Sequence, residues 1–188
     1  MAGLAAMAAG LLWHFDDGRA PGANAAASAA GSMPRAELVR HLERSPRDDR
    51  SWVLLARMDF DADRFADAAT AYERALAIDA RVARDPVVWC EYADALGMTQ
   101  GGSLAGKPRE LVMRALAQSP RHPKALEMAG SAAFEAGEYT SAVRYWRELL
   151  AQVATGSREH RELAAAIARA EDLTMSASVP MGIAANAK

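Results

Sequence analysis

The sequence predicts an all-α solenoid, in which successive helix hairpins stack into an α-α superhelix. The apolar fraction contains 45 Ala but only 12 Val and Ile together, which suits close-packed helices and fits sheets poorly. Trp52, Trp89 and Leu126 follow one another at intervals of 37 residues. Ser-Pro-Arg at 45–47 recurs at 119–121, which is twice that interval. A repeat of this length is typical of solenoid proteins.

The overall composition excludes several classes of protein. The chain of 188 residues fits one domain or one short repeat array. Its 22 Lys and Arg against 24 Asp and Glu give a net charge of −2, which argues against a nucleic-acid partner. Cys90 is the single cysteine, so the sequence has no intrachain disulfide framework and no cysteine-based zinc site.

The N-terminal 33 residues differ in composition from the rest. Residues 1–15 are apolar without Asp, Glu, Lys or Arg, and are shorter than the roughly 20 residues of an ordinary membrane span. A truncated membrane anchor, a secretory signal and an alanine-rich disordered leader all fit this segment. Residues 16–33 are rich in Ala, Gly, Ser, Asn and Pro, which predicts a flexible linker.

The repeat region is predicted over residues 34–173 and opens with a lone helix. This helix runs from Pro34 to Arg44, with an apolar stripe on one face, and forms the second half of a partial repeat. Three helix pairs follow. The second pair has a long glycine-rich turn at 101–107, and its second helix begins near Pro108, a residue suited to the first helical position.

A capping helix is predicted after the third pair. Ser157 suits its N-cap, and Leu163, Ile167 and Ala170 recur with helical spacing as far as Leu173. Such a helix covers the last apolar face of a solenoid. Residues 174–188 show no periodicity and predict a disordered tail.

The first and third pairs share a pattern of a small residue facing an aromatic one. Ala56 is followed by Tyr72 in the first pair, and Gly130 by Trp146 in the third. A small side chain lets two helices approach closely, and the aromatic ring fills the space beside the crossing. Asp59 departs from the pattern, because an aromatic residue or Leu is expected there.

No constellation in the sequence predicts catalysis. Gly101 and Gly106-Lys107 match part of the phosphate-binding spacing G-x-x-x-x-G-K. However, Pro108 stands where a hydroxyl is needed for Mg²⁺, and the loop follows a predicted helix instead of a strand. The four histidines lack paired ligand spacing, and Cys90 has no activating neighbours. We therefore predict a protein without enzymatic activity, metal or cofactor.

The first helices of the three pairs are predicted to line a concave groove. Their inward positions combine charged and apolar side chains, which suits an amphipathic peptide. Ordinary solvated helix faces are the alternative interpretation. The predicted peptide-binding residues are Arg50, Val53, Arg57, Phe60, Cys90, Asp94, Met98, Lys124, Glu127, Ser131 and Phe134.

These helix pairs resemble tetratricopeptide (TPR) repeats, and a more specific resemblance lies in the second and third pairs. The stretch 100–108 (QGGSLAGKP), followed by His-Pro-Lys-Ala-Leu at 122–126 and Gly-Glu-Tyr at 137–139, is similar to the TPR domain of cytochrome c-type biogenesis proteins. That group includes the apocytochrome c chaperone subunit of the haem lyase system and its nitrite-reductase-specific relatives. The resemblance covers residues 34–173.

The resemblance implies a module in the periplasm, anchored to the bacterial inner membrane by the N-terminal segment. Its groove would hold the C-terminal helix of apocytochrome c and present it to the membrane subunits of the haem lyase complex. The haem chemistry would belong to those partners, since this chain has no Cys-x-x-Cys-His. Two alternatives are a TPR interaction adaptor in another cell-envelope assembly and an enzyme that uses the Gly106-Lys107 loop.

Overall fold

The computed structural model describes residues 33–178, and that part of the chain is helical without any strand. Its eight α-helices and one short 3₁₀ helix confirm the predicted all-α class. The helices are α1 (Arg35–Arg44), α2 (Asp49–Phe60), α3 (Phe65–Ile78), the 3₁₀ helix (Val82–Arg84), α4 (Pro86–Thr99), α5 (Lys107–Gln118), α6 (Pro123–Glu135), α7 (Tyr139–Leu150) and α8 (Arg158–Ser178). The predicted N-terminal segment and the linker as far as residue 32 lie outside the described residues.

The described chain forms two compact units, divided between Ser103 and Leu104. In the first unit α1 packs against α2, α2 against α3, and α3 against α4. In the second unit α5 packs against α6, α6 against α7, and α7 against α8. Within each unit, successive helices thus contact one another, as expected for stacked hairpins.

The predicted helix crossings are present in the first and third pairs. Ala56 and Tyr72 are both buried where α2 meets α3. Gly130 lies against Trp146, and a Cβ atom at this position would come within 2.1 Å of the indole Nε1. The glycine is therefore required by the close approach of α6 and α7.

The glycine-rich turn ends α4 and begins α5. Gly101 and Gly102 adopt φ values of +70° and +89°, and the Gly102 N–H donates to the Gly97 carbonyl at 2.9 Å. This left-handed ending is the conformation that glycine adopts at least cost after a helix. The turn follows a helix, and Lys107 lies 3.4 Å from the Glu110 carboxylate. It therefore connects two helices and lacks the preceding strand of a phosphate-binding loop.

The capping helix α8 is longer than predicted. The Ser157 hydroxyl accepts the His160 N–H at 3.0 Å, which confirms the cap, and Leu163, Ile167 and Ala170 are buried as expected. The helix continues to Ser178, so the predicted start of disorder at residue 174 is wrong. In this added turn the Thr174 hydroxyl donates to the Ala170 carbonyl at 2.9 Å. Residues 179–188 lie outside the described range.

Asp59 has a structural role that explains its departure from the repeat pattern. Its side chain is 1% exposed and accepts hydrogen bonds from Arg35 Nε at 2.5 Å and Arg64 Nε at 2.7 Å. Burial alone would raise the pKa of Asp59, but the two guanidinium groups outweigh it and hold the pKa below its usual range. The buried carboxylate therefore ties α1 to the α2–α3 hairpin.

Candidate functional site

A cavity of about 390 Å³ opens in the first unit beside α2. Its wall is formed by α2, the 3₁₀ segment and the start of α4, and it combines apolar with charged side chains. The apolar ones are Val53, Leu54, Val82 and Val88, and the charged ones are Asp49, Arg50, Arg57, Arg81 and Asp85. The volume is within the range of sites that accept one or two side chains or a small ligand.

Three of the predicted groove residues lie together on this cavity. Arg50, Val53 and Arg57 lie on one face of α2 and line this cavity, and their contact with a peptide stays a prediction. Leu54 belongs to the same stripe but was not predicted, and it is 45% exposed. Its position four residues after Arg50 was the available signal, because residues i and i+4 share a helix face.

Arg57 is held in place by Glu91. Arg57 Nε donates to both carboxylate oxygens at 3.0 and 3.1 Å, and Nη2 donates to Oε2 at 3.1 Å. Burial lowers the pKa of Arg57, but the bonds and negative charge of Glu91 raise it overall. Burial raises the pKa of Glu91 more than the hydrogen bonds and positive charge of Arg57 lower it, because the Glu91 side chain is only 28% exposed.

Tyr72 is buried close to this ion pair. Burial raises its pKa, and the negative charge of Glu91 adds to the effect, so the hydroxyl stays neutral. The arrangement fixes the guanidinium of Arg57 at the cavity wall before any ligand arrives. Fixed donors bind with a smaller loss of side-chain entropy.

The 3₁₀ segment contributes cavity residues that the sequence analysis missed. Arg81 is bound by Asp79, which accepts from its Nη2 at 3.0 Å. Asp85 caps α4 by accepting the Val87 N–H at 2.9 Å. The Asp85-Pro86 sequence was a signal for a helix start, but no periodicity marks a three-residue 3₁₀ turn.

Phe60 and Phe134 brace turns within their hairpins. Phe60 packs edge-on against Phe65 with ring centroids 5.3 Å apart, and Phe134 packs the same way against Tyr139, also at 5.3 Å. Each pair joins the end of a first helix to the start of the second. Phe60 is absent from the cavity lining, so its predicted ligand contact gains no support from this cavity.

Two other predicted groove residues are too buried to offer a contact surface. Cys90 is 2% exposed and Glu127 is 6% exposed. Their helices α4 and α6 are short of polar positions and bury residues over most of their circumference, which a simple inward spacing rule does not anticipate. Neither side chain therefore belongs to the exposed surface of its helix.

The remaining predicted residues are half-buried in their own units. Asp94 and Met98 lie on α4 in the first unit, and Lys124 and Ser131 lie on α6 in the second. Lys124 Nζ is 3.5 Å from the Glu127 carboxylate. Their contact with a peptide remains a prediction.

The described residues contain neither a metal-binding cluster nor a membrane-spanning helix. Between residues 33 and 178, no group of three or more His, Cys, Asp or Glu side chains is arranged to hold a metal ion. Within the same range, none of the helices combines the length and apolar character needed to cross a bilayer.

Successive helix pairs, with a small residue at the crossings of the first and third pairs, define a TPR-type protein-interaction fold. Solved structures of this class are similar to the chain. The MamA protein matches with a TM-score of 0.61 and 13% identity, over 75% of this chain and 72% of that one. The Sgt2 TPR domain from Aspergillus fumigatus matches with a TM-score of 0.57 and 16% identity, over 75% and 88%.

The chain belongs to the cytochrome c-type biogenesis protein H TPR-domain family, whose model matches residues 37–160. The cytochrome c-type biogenesis protein CycH of Pseudomonas aeruginosa is 30% identical over 153 residues, which are 81% of this chain and 37% of that protein. CycH of Bradyrhizobium diazoefficiens is 30% identical over 125 residues, or 65% and 33%. This chain thus spans about a third of the length of these relatives.

Proposed function

We propose that this chain is a peptide-binding module of cytochrome c maturation. It holds the C-terminal helix of apocytochrome c and presents that helix to the haem lyase complex. Family membership supports the pathway. The cavity on α2, where the exposed Leu54 lies between Arg50 and Arg57, is the observation that carries peptide binding.

The cavity suits one face of an amphipathic helix. An apolar side chain of the ligand would pack against Leu54 and Val53, and polar groups beside it would meet the arginines. Helix-in-groove recognition depends on apolar anchors spaced by one turn and on a polar rim that fixes orientation. The Glu91-bound Arg57 supplies a rigid part of that rim.

The partners in this proposal are proteins of the cell envelope. The client is the C-terminal segment of an apocytochrome c, and the receivers are the membrane subunits that carry out haem attachment. The module works in the periplasm, with the N-terminal segment as its anchor to the inner membrane. Haem chemistry stays with the partners, so the module itself needs no cofactor.

The test is calorimetric titration of the full chain with a synthetic C-terminal helix of a c-type apocytochrome. We expect a Kd on the order of 1 µM, which corresponds to about −8 kcal/mol. Leu54→Asp should weaken binding about tenfold or more, because it removes the apolar contact from the cavity. Met175→Asp is the matched control, since Met175 is 62% exposed on α8 and is not one of the residues that line the α2 cavity.

A scrambled peptide of the same composition distinguishes the alternatives. Equal binding of native and scrambled peptides would contradict selective recognition of the client and leave a general TPR adaptor. If Leu54→Asp and Met175→Asp weaken peptide binding equally, the peptide does not bind through the α2 cavity. Circular dichroism spectra of the two variants should match that of the parent chain.

A further inference from the structure

We propose that Arg50 selects the ligand by its charge pattern. It pairs with a carboxylate side chain of the bound helix that lies one helical turn from the apolar side chain seated against Leu54. This inference rests on the proposed peptide-binding function and assigns a specificity-determining residue to the same cavity.

The first argument is the state of the three arginines at the cavity. Arg57 is neutralised by the bidentate Glu91, with N–O distances of 3.0 to 3.1 Å. Arg81 is bound by Asp79, and the negative charge of Asp49 also acts on it. Arg50, in contrast, is exposed, and its side chain has no ion-pair or hydrogen-bond partner between residues 33 and 178. It is the cation in this cavity whose charge is available to a ligand.

The second argument is the spacing between Arg50 and Leu54. The two residues are four positions apart on α2, and such neighbours have Cβ atoms about 5–6 Å apart on one helix face. A ligand helix has the same rise and therefore matches this spacing with residues three or four positions apart. One of these supplies the apolar anchor, and the other supplies the charge that meets Arg50.

The third argument is the sign of the remaining charges. Asp49 and Asp85 also line the cavity, and Asp85 is engaged as the cap of α4. They disfavour a ligand with acidic residues on both sides of its anchor, while Arg50 disfavours a lysine on its own side. Repulsion of wrong partners contributes to specificity in this way. The acidic side chain and the apolar anchor together define the orientation of the ligand helix.

The test is a double-mutant cycle between the full chain and the synthetic C-terminal helix of a c-type apocytochrome. Each Glu or Asp of the peptide is replaced in turn by Gln or Asn, and every peptide is titrated into the parent chain and into Arg50→Gln. We expect one peptide substitution to weaken binding to the parent by about fivefold, the scale of a partly exposed charge pair. The same peptide substitution should have no further effect on Arg50→Gln.

Three additional titrations test the pairing between Arg50 and the peptide carboxylate. In Arg50→Glu, a Lys at the identified peptide position should restore most of the lost affinity. Amidation of the peptide C-terminus should leave the affinity unchanged, since the pairing group is a side chain. Arg121→Gln is the matched control, because Arg121 is an exposed arginine in the second unit.

The failures of the two proposals are distinguishable. Selective peptide binding without coupling between Arg50 and any carboxylate side chain would overturn the role of Arg50 and leave the proposed function standing. Loss of affinity on C-terminal amidation, abolished in Arg50→Gln, would overturn the side-chain pairing in favour of the chain terminus. A parent chain that binds native and scrambled peptides equally would overturn both proposals.

Discussion

The first and third helix pairs have the same fold but use different residues at equivalent positions 74 apart. At the crossing, the first pair has Ala56 and Tyr72, whereas the third has Gly130 and Trp146. The larger ring is matched by the loss of one methyl group from the facing helix. The comparison teaches that the repeat conserves the volume of its crossing and does not require particular residues there.

The turns within the first and third pairs also differ in residue type but share one backbone conformation. Asp63 adopts φ +57° in the first pair, and Gly137 adopts φ +74° at the equivalent place in the third. The backbone conformation is the same, but the first pair uses a residue that tolerates the left-handed region at some cost. Each difference between the pairs can therefore be tested by exchange.

The largest expected effect comes from removing the ring at the third crossing. Trp146 is 5% exposed and packs against Phe134 with ring centroids 5.7 Å apart. Trp146→Ala should lower the free energy of unfolding by about 3–5 kcal/mol, because it leaves a large cavity. Urea unfolding followed by circular dichroism measures this loss. A loss below about 1 kcal/mol would contradict the burial of the ring.

The next effect comes from adding one methyl group at the same crossing. Gly130→Ala places its Cβ within 2.1 Å of the indole and should cost about 1–3 kcal/mol of unfolding free energy. The double change to Gly130→Ala with Trp146→Tyr gives the third pair the residues of the first. The double variant should recover at least half of the unfolding free energy that Gly130→Ala alone loses. Additive losses in the double variant would refute the compensation between these positions.

These crossings could be predicted from the sequence, because they are local features of a 37-residue repeat. The repeat spacing alone predicts which small residue and which aromatic residue meet at each of these two crossings, and which helix faces they lie on. The Arg35–Asp59 and Arg57–Glu91 pairs could not be predicted, because their partners are 24 and 34 residues apart and obey no period. The same limit explains Arg81 at the cavity: a short irregular segment brings it there, and its position depends on tertiary packing.

The inward spacing selects residues that line one cavity on α2, whereas on α4 it includes the buried Cys90. On α2 the polar and apolar faces are distinct, so Arg50, Val53 and Arg57 could be placed on one side. On α4 almost every position is apolar, and Cys90 could not be assigned to the core or the groove by spacing alone. Hydrophobic periodicity loses its information when a helix is buried on most sides.

A smaller effect is expected from exchanging the turn residues. Gly137→Ala should cost about 1 kcal/mol, because Ala is strained at positive φ, although no neighbouring atom lies within 4 Å of the new Cβ. Asp63→Gly should leave the stability unchanged or raise it by a few tenths of a kcal/mol, since relief of strain opposes the entropy of glycine. Urea unfolding of both variants gives the comparison. A larger loss for Asp63→Gly than for Gly137→Ala would show that the two turns are not equivalent.

The smallest effect concerns the caps of the two first helices. Asp48 caps α2 by accepting the Ser51 N–H at 3.1 Å, and His122 accepts the Ala125 N–H at 3.3 Å at the equivalent place on α6. Hydrogen bonds from His41 and Ser51 lower the pKa of Asp48 to about 2. A lowered pKa in the folded state means that ionised Asp48 stabilises the fold at neutral pH. This contribution is complete above the unfolded pKa of about 3.9 and is lost as the pH falls toward 2.

Asp48→Asn tests this contribution, because Asn retains the capping bond but cannot ionise. At pH 6 the parent chain should exceed the variant in unfolding free energy by less than about 1 kcal/mol, since the side chain is one-third exposed and screened by solvent. The difference should shrink between pH 4 and pH 2 in urea unfolding followed by circular dichroism. A difference that stays constant over this pH range would mean that the charge of Asp48 adds nothing to its cap. The caps of α2 and α6 would then use different residues, Asp48 and His122, but neither would depend on the charge of Asp48 for its stability.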